Sequence, residues 1–288
     1  MQKLFIDHPE LALDVNSRIP QWSISVNEMT NIPGLADALL KRIDYISKID
    51  EEEYYQDVAS EVNNLLQQEK SDIVYFVWLG KTGGSGPYIF NKIRSCLPTE
   101  LQHRVQGLPS THVDVLAHSR TTSNKNIHYY ICDDSANSGR QLSGCLGAFD
   151  WYGRDYPKNK LSRLLSFAFI GPKNVTVHVK MMRITDQGLS LINESQNKAK
   201  NTHLSFVNTS PRMPTAADVL RSLGVDTDRI NSEVRKAILC THHGWPSAIL
   251  GFFYHKIQDN LPPVLIPGGV KVNGVDPLLN QEIEKMYD

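Results

Sequence analysis

Cysteine is scarce, and no C-x-x-C pair occurs: the four residues are Cys96, Cys132, Cys145 and Cys240. That excludes a disulfide framework and points to a reduced, cytoplasmic setting. Charge of one sign is lacking too. Thirty Lys and Arg stand against 31 Asp and Glu, a formal net charge of −1, which argues against broad nucleic-acid binding. No apolar run approaches the roughly 20 residues that cross a bilayer. The start, MQKLFIDHPELALDV, carries Asp7 where a secretory leader would keep its apolar core. Repeats and low-complexity tracts are missing. The pair His242 and His243 stands in no zinc-type spacing and reads as packing before Gly244, so no side chain is assigned as a metal ligand.

What remains is an ordinary globular chain. Its 288 residues suit one large domain or two small ones, with 41% hydrophobic and 21% charged residues, enough to build a core. Residues 1–32 show no clear period and read as irregular. From 34 to 48, Leu35, Leu39, Leu40, Ile43 and Ile46 recur at helical spacing. Asp50 and Glu53 resemble a capping box opening a second helix, with Tyr54 or Tyr55, Val58, Val62, Leu65 and Leu66 on one face. This gives an N-terminal helical section over 1–70.

The pattern then changes. Residues 73–79, IVYFVWL, form the continuous apolar and β-branched run of a strand buried on both faces, as in a parallel sheet. A glycine-rich loop follows, and Pro87 opens a helix to about Cys96. Further strands are expected at 113–117, 127–132, 165–170, 175–184 and 248–254, and helices at 141–149 and 215–223. Residues 186–202 and those after 261 read as loops. Cys132 reads as core; Lys180 and Arg183 read as facing water. The aromatics Trp151, Tyr152 and Tyr156 read as packing, and Arg154 beside them as a solvated side chain. The alternation predicts an α/β fold with a mainly parallel central sheet flanked by helices, over residues 71–288. Ligands in such folds bind outside the carboxyl ends of the strands. Two loops fall there, 80–86 and 133–141.

The first loop reads Gly80, Lys81, Thr82, Gly83, Gly84, Ser85, Gly86. Its spacing is not that of a Walker A loop, because Lys-Thr follows the first glycine directly. Its glycines let the backbone approach an anion at a helix N-terminus; a plain βα connection is the alternative. The second reads ICDDSANSGRQ over 131–141. Adjacent carboxylates suit the two hydroxyls of a cis-diol, and Ser138 with Gly139 suits a phosphate at a helix start. Diol plus phosphate describes a ribose 5-phosphate. A metal phosphatase would carry Asp-x-Asp. An acidic turn capping the helix stays open, though two like charges side by side repel.

Apolar strand, Asp133-Asp134, three residues, Ser138-Gly139 resembles the phosphoribosyl-pyrophosphate loop of type I phosphoribosyltransferases, over roughly residues 71–150. The resemblance implies that Asp133 and Asp134 hold the ribose hydroxyls and that Ser138, Gly139, Arg140 and Gln141 ring the 5-phosphate. Gly80, Lys81, Thr82, Gly83 and Gly84 then occupy the place of the pyrophosphate loop, with Lys81 beside the leaving group. Residues 119–126 lie where that family keeps a flap. Magnesium accompanies the substrate. The late stretch ILGFFYHKIQDNLPPVL resembles domains of this kind linked to bacterial conflict systems and retrons, which implies antiviral defence and a protein partner. Several positions depart from the pattern: Ser138 stands for the usual Thr, and Ser135 and Ala136 are smaller and less apolar than expected. Gln141 replaces a hydroxyl residue, and Asn137 stands where some members carry an acid near the base; asparagine cannot act as a general base. The reading is therefore a phosphoribosyltransferase-like protein acting at an anomeric carbon. A non-catalytic nucleotide sensor, a glycosidic-bond hydrolase and a structural α/β domain stay open beside it.

Overall fold

The computed structural model describes residues 2–68, 74–79, 85–109, 126–136, 142, 174–199, 204–241, 248–254, 261–266 and 272–279. In chain order these form α1 (Gln2–Asp7), α2 (Pro9–Thr30), α3 (Leu35–Arg42), β1 (Asp44–Ile46), α4 (Lys48–Gln68), β2 (Val74–Trp78) and α5 (Ser85–Cys96). A 3-10 turn, Thr99–Arg104, then leads into β3 (Val105–Pro109), β4 (Asn126–Ala136) and β5 (Asn174–Ile184). They are followed by α6 (Asp186–Ala199), β6 (Leu204–Asn208), α7 (Ala216–Ser222) and β7 (Gly251–Phe253). Contacts divide the chain into two units, one of residues 1–51 and 213–288, the other of 52–212.

In the first unit, the stretch expected to be irregular is helical over Gln2–Asp7 and Pro9–Thr30. Leu11, Val15, Trp22 and Val26 of α2 are buried at spacings of four, seven and four, a helical stripe diluted by Pro20 and by polar neighbours. The Trp22 indole N–H donates to the carbonyl of Val264 at 2.7 Å, so its polar edge is satisfied inside the core. β1 pairs in parallel with β7, which is shorter than the expected 248–254. Thr215 caps α7 with a complete capping box: its hydroxyl accepts from the amide of Asp218, whose carboxylate accepts from the amide of Thr215. The equivalent device at α4 lies three residues earlier than the sequence pattern suggests. Ser47 and Asp50 exchange amide-to-side-chain bonds of 2.9 and 3.2 Å.

The second unit holds a five-stranded, all-parallel sheet in the order β3-β2-β4-β5-β6. β2 is buried at every residue, as its unbroken apolar run requires. Tyr75, Val77, Tyr129, Ile131, Val177, Val179 and Met181 form one core with Ile192 of α6. Phe76 instead stacks on Tyr130 at 5.5 Å and meets Phe90 of α5. Of the loop expected at 186–202, residues 186–199 form helix α6, and 200–202 lie outside the described residues. The helix buries Gly188, Ile192 and Ser195, a face too small and polar to show as apolar periodicity. Strands β3 and β6 were not expected from the pattern. The expected strands at 113–117 and 165–170, the helix over 141–149 apart from Leu142, the segment 119–125, His242 and His243, and residues 151–156 lie outside the described residues. Among the described residues, no helix is long and apolar enough to cross a membrane.

Candidate functional site

The strand order reverses direction between β2 and β4. The first core strand, β2, has its successor β3 on one side and β4 on the other, and open α/β sheets hold ligands at such a switch point. Two chain segments converge there. Trp78 and Leu79 end β2, and Ser85 begins α5. On the other side stand Asp133 and Asp134. They sit inside β4 rather than in a loop beyond it, because the strand stays paired with β5 through Ser135 opposite Arg183 and Ala136 opposite Ile184. The polarity of DDSA hides a strand that continues along β5 beyond the point where its pairing with β2 ends at Ile131.

Both aspartates are buried, 4% exposed each. A buried carboxylate needs donors, and Asp133 has them from separate places. Its Oδ2 accepts from the amide of Leu79 at 3.1 Å. Its Oδ1 accepts from the hydroxyl of Ser85 at 2.7 Å and from the amide of Asp134 at 2.9 Å. Asp134 Oδ1 accepts from the amide of Ser135 at 2.5 Å and its hydroxyl at 3.3 Å. Asp133 thereby joins the end of β2 to the start of α5, on either side of residues 80–84. Gly86 allows that approach: a Cβ there would lie 2.1 Å from Trp78 Cβ. Of the residues expected at the site, the structure brings Asp133 and Asp134 together. Gly80, Lys81, Thr82, Gly83, Gly84, Asn137, Ser138, Gly139, Arg140 and Gln141 lie outside the described residues.

Behind the acid pair lies a polar network that pattern reading missed. Lys180 does not face water. It is 8% exposed, and its ammonium pairs with Glu61 of α4 and donates to Thr209 Oγ1 at 2.8 Å. Glu61 also accepts from the Tyr130 hydroxyl at 3.0 Å and lies 3.3 Å from His178 Nδ1. His178 Nε2 is 3.2 Å from His128 Nδ1, and the His178 ring stacks on Tyr130 at 4.2 Å. The hydrogen bond from His178, with those from Lys180 and Tyr130, outweighs burial and holds the Glu61 carboxyl down at about 2. Tyr54 of α4 donates to the carbonyl of Lys180 at 2.5 Å. Burial pushes the Tyr54 phenol well up, with the neighbouring Cys132 and Asp133 adding to it. Burial likewise pushes the Cys132 thiol up, which makes it the core residue expected rather than a nucleophile. The signal in the sequence was the lone basic and imidazole side chains within apolar strands, at His128, His178 and Lys180; a buried polar group in such a run demands a partner.

Comparison with known proteins agrees with this architecture. Neither the curated proteins nor the solved structures include one that matches the chain. A family model does match, over residues 22–266, so it takes in the helical start, the sheet and the late apolar strand together. With a parallel five-stranded sheet and an acid pair at its switch point, the chain belongs to the PRTase-CE family, a phosphoribosyltransferase-like family.

Proposed function

We propose that the chain binds a ribose 5-phosphate compound, in the simplest case phosphoribosyl pyrophosphate with magnesium, and transfers or cleaves at its anomeric carbon. The observation that carries this reading is the bonding of Asp133 to Leu79 and Ser85, which sets the acid pair beside both ends of residues 80–84. The aspartates would accept hydrogen bonds from the ribose hydroxyls, and their negative charge favours a cationic, oxocarbenium-like sugar. Ser138, Gly139, Arg140 and Gln141 would hold the 5-phosphate. Asn137 would lie toward the base side, and Gly80, Lys81, Thr82, Gly83 and Gly84 would donate to the diphosphate.

Magnesium suits this donor set, because it binds through one or two carboxylates together with substrate phosphates. Among the described residues, no cluster of three or more His, Cys, Asp or Glu forms a ready cage, so the ion would enter with the diphosphate. It would supply charge neutralisation of the leaving group. The sugar C1–O bond breaks with its electron pair leaving on the diphosphate. The acceptor's lone pair forms the new bond at C1, and the acceptor's proton is released.

Gln141 and Asn137 favour a second reading, a non-catalytic sensor of the same compound within a regulatory or defence assembly, since neither residue matches the pattern that supports turnover. Pyrophosphate release decides between them. Protein incubated with phosphoribosyl pyrophosphate and magnesium is assayed alone and with purine, pyrimidine and amine acceptors. Release that needs an acceptor supports a transferase, and release into water alone supports a hydrolase. Binding without release makes the chain a sensor. No binding overturns the reading.

A further inference from the structure

We infer that His128 and His178 form a one-proton switch inside the second unit: in the neutral pair His128 donates to His178 and His178 points its N–H at Glu61, and one added proton reverses the bond between the rings and settles on His178. This goes beyond the proposed function and does not depend on it. Both rings are largely withdrawn from water; His128 is 9% exposed and the His178 side chain 12%. Adjacent strands bring them together, with His128 Nδ1 3.2 Å from His178 Nε2. A contact of that length holds one hydrogen, because two lone pairs, or two N–H groups, facing each other repel.

Which ring owns that hydrogen follows from Glu61. Its carboxylate pairs with the Lys180 ammonium and accepts from the Tyr130 hydroxyl, and it titrates at about 2, so at neutral pH it can only accept. His178 Nδ1 stands 3.3 Å from it, just beyond an ordinary hydrogen bond and too close for a second lone pair. Nδ1 of neutral His178 therefore carries the hydrogen, its Nε2 accepts, and His128 Nδ1 donates. When a proton is added at His128 Nε2, the hydrogen on Nδ1 can cross to His178 Nε2. His128 is then neutral again with its hydrogen on Nε2, and His178 is an imidazolium. The pair has gained one proton and one positive charge, and neither ring has turned. Two neighbours favour the charge at His178. Glu61 lies beside it, and the Tyr130 ring lies parallel to it at 4.2 Å, offering its negative face. Lys180 opposes the charge, but its ammonium is already paired with Glu61. The other groups described around the pair carry no charge. Burial pushes the phenols of Tyr54 and Tyr130 and the thiol of Cys132 up, β2 places Val74 opposite His128, and β6 places Val207 opposite His178. A second proton would set N–H against N–H at the contact, so the intact pair takes one.

Nitrogen NMR of the full chain labelled with 15N-histidine tests this without any ligand. The two rings are assigned among the ten histidines with His128→Gln and His178→Gln, and their ring nitrogens are followed from about pH 9 to about pH 5. At the alkaline end both rings should carry their hydrogen on Nδ1. On acidification His178 should gain a second N–H, while His128 stays neutral and moves its hydrogen from Nδ1 to Nε2, both changes sharing one midpoint. Glu61→Gln should abolish the move on His128, since the charge no longer has its carboxylate. Tyr130→Phe keeps the stacked ring and should preserve it. A hydrogen on Nε2 of His178 at the alkaline end would overturn the switch. So would charge appearing on His128, two rings titrating with separate midpoints and no exchange of nitrogens, or neither ring gaining a proton before the chain unfolds. The wild-type spectra decide the matter even where Glu61→Gln does not fold.

Discussion

A lysine in the middle of a β-branched strand poses a choice between solvent and a buried partner, and Lys180 takes the partner. That partner, Glu61, lies 119 residues earlier, so no local pattern reveals it. The carboxyl of Glu61 titrates at about 2 rather than at its ordinary 4.5. Its contribution to stability is therefore complete above about pH 4.5 and is lost as pH falls toward 2. Glu61→Gln removes that dependence. Urea unfolding at pH 6, 4 and 2.5 should show wild type losing stability against the variant across this window, and parallel curves would contradict it. At pH 7 the variant leaves a buried ammonium without its carboxylate. The expected loss is about 1–2 kcal/mol, below the several kcal/mol of a fully buried pair, because the Glu61 side chain is 39% exposed. At the acid pair the residues themselves were legible, since two adjacent aspartates after an apolar run are chemically conspicuous. Which of the two also ties β2 to α5 was not, because Leu79 and Ser85 are some fifty residues away along the chain.

Elements with a strong single signal were readable. β2 declares itself by a continuous apolar run and β5 by recurring valines, and α5 and α7 by apolar spacing. Elements stabilised by their neighbours were not. β3, VQGLP, contains Gly107 and Pro109, yet it pairs along the whole of β2. Gly107 is required there, since a Cβ would come within 2.7 Å of Phe90 and Trp78. The same close packing makes Gly86→Ala informative. Its methyl would strike Trp78 Cβ and Cγ, so α5 must shift, at a cost of about 1–3 kcal/mol or more read as a lowered thermal midpoint. A variant as stable as wild type would show that α5 does not lie so close to β2. At α7, Thr215→Ala removes one half of a capping box and should cost about 1 kcal/mol in denaturant unfolding, with Thr215→Ser restoring most of it.

For the whole molecule, alternating strands and helices were enough to predict a parallel α/β sheet, and such a sheet dictates where a ligand can sit. The packing of residues 213–288 with residues 1–51 is a different kind of fact. It depends on contacts such as Trp22 with Val264, 242 residues apart. Local periodicity carries no trace of such a contact. The central claim joins both levels: a sheet whose switch point carries an acid pair holds a phosphorylated ribose there. Its most direct test is calorimetric titration of phosphoribosyl pyrophosphate with magnesium into wild type and into the double variant Asp133→Asn/Asp134→Asn, with folding of each checked by circular dichroism. The account predicts saturable binding by wild type and none by the folded double variant. Equal binding by both, or none by wild type, would contradict it.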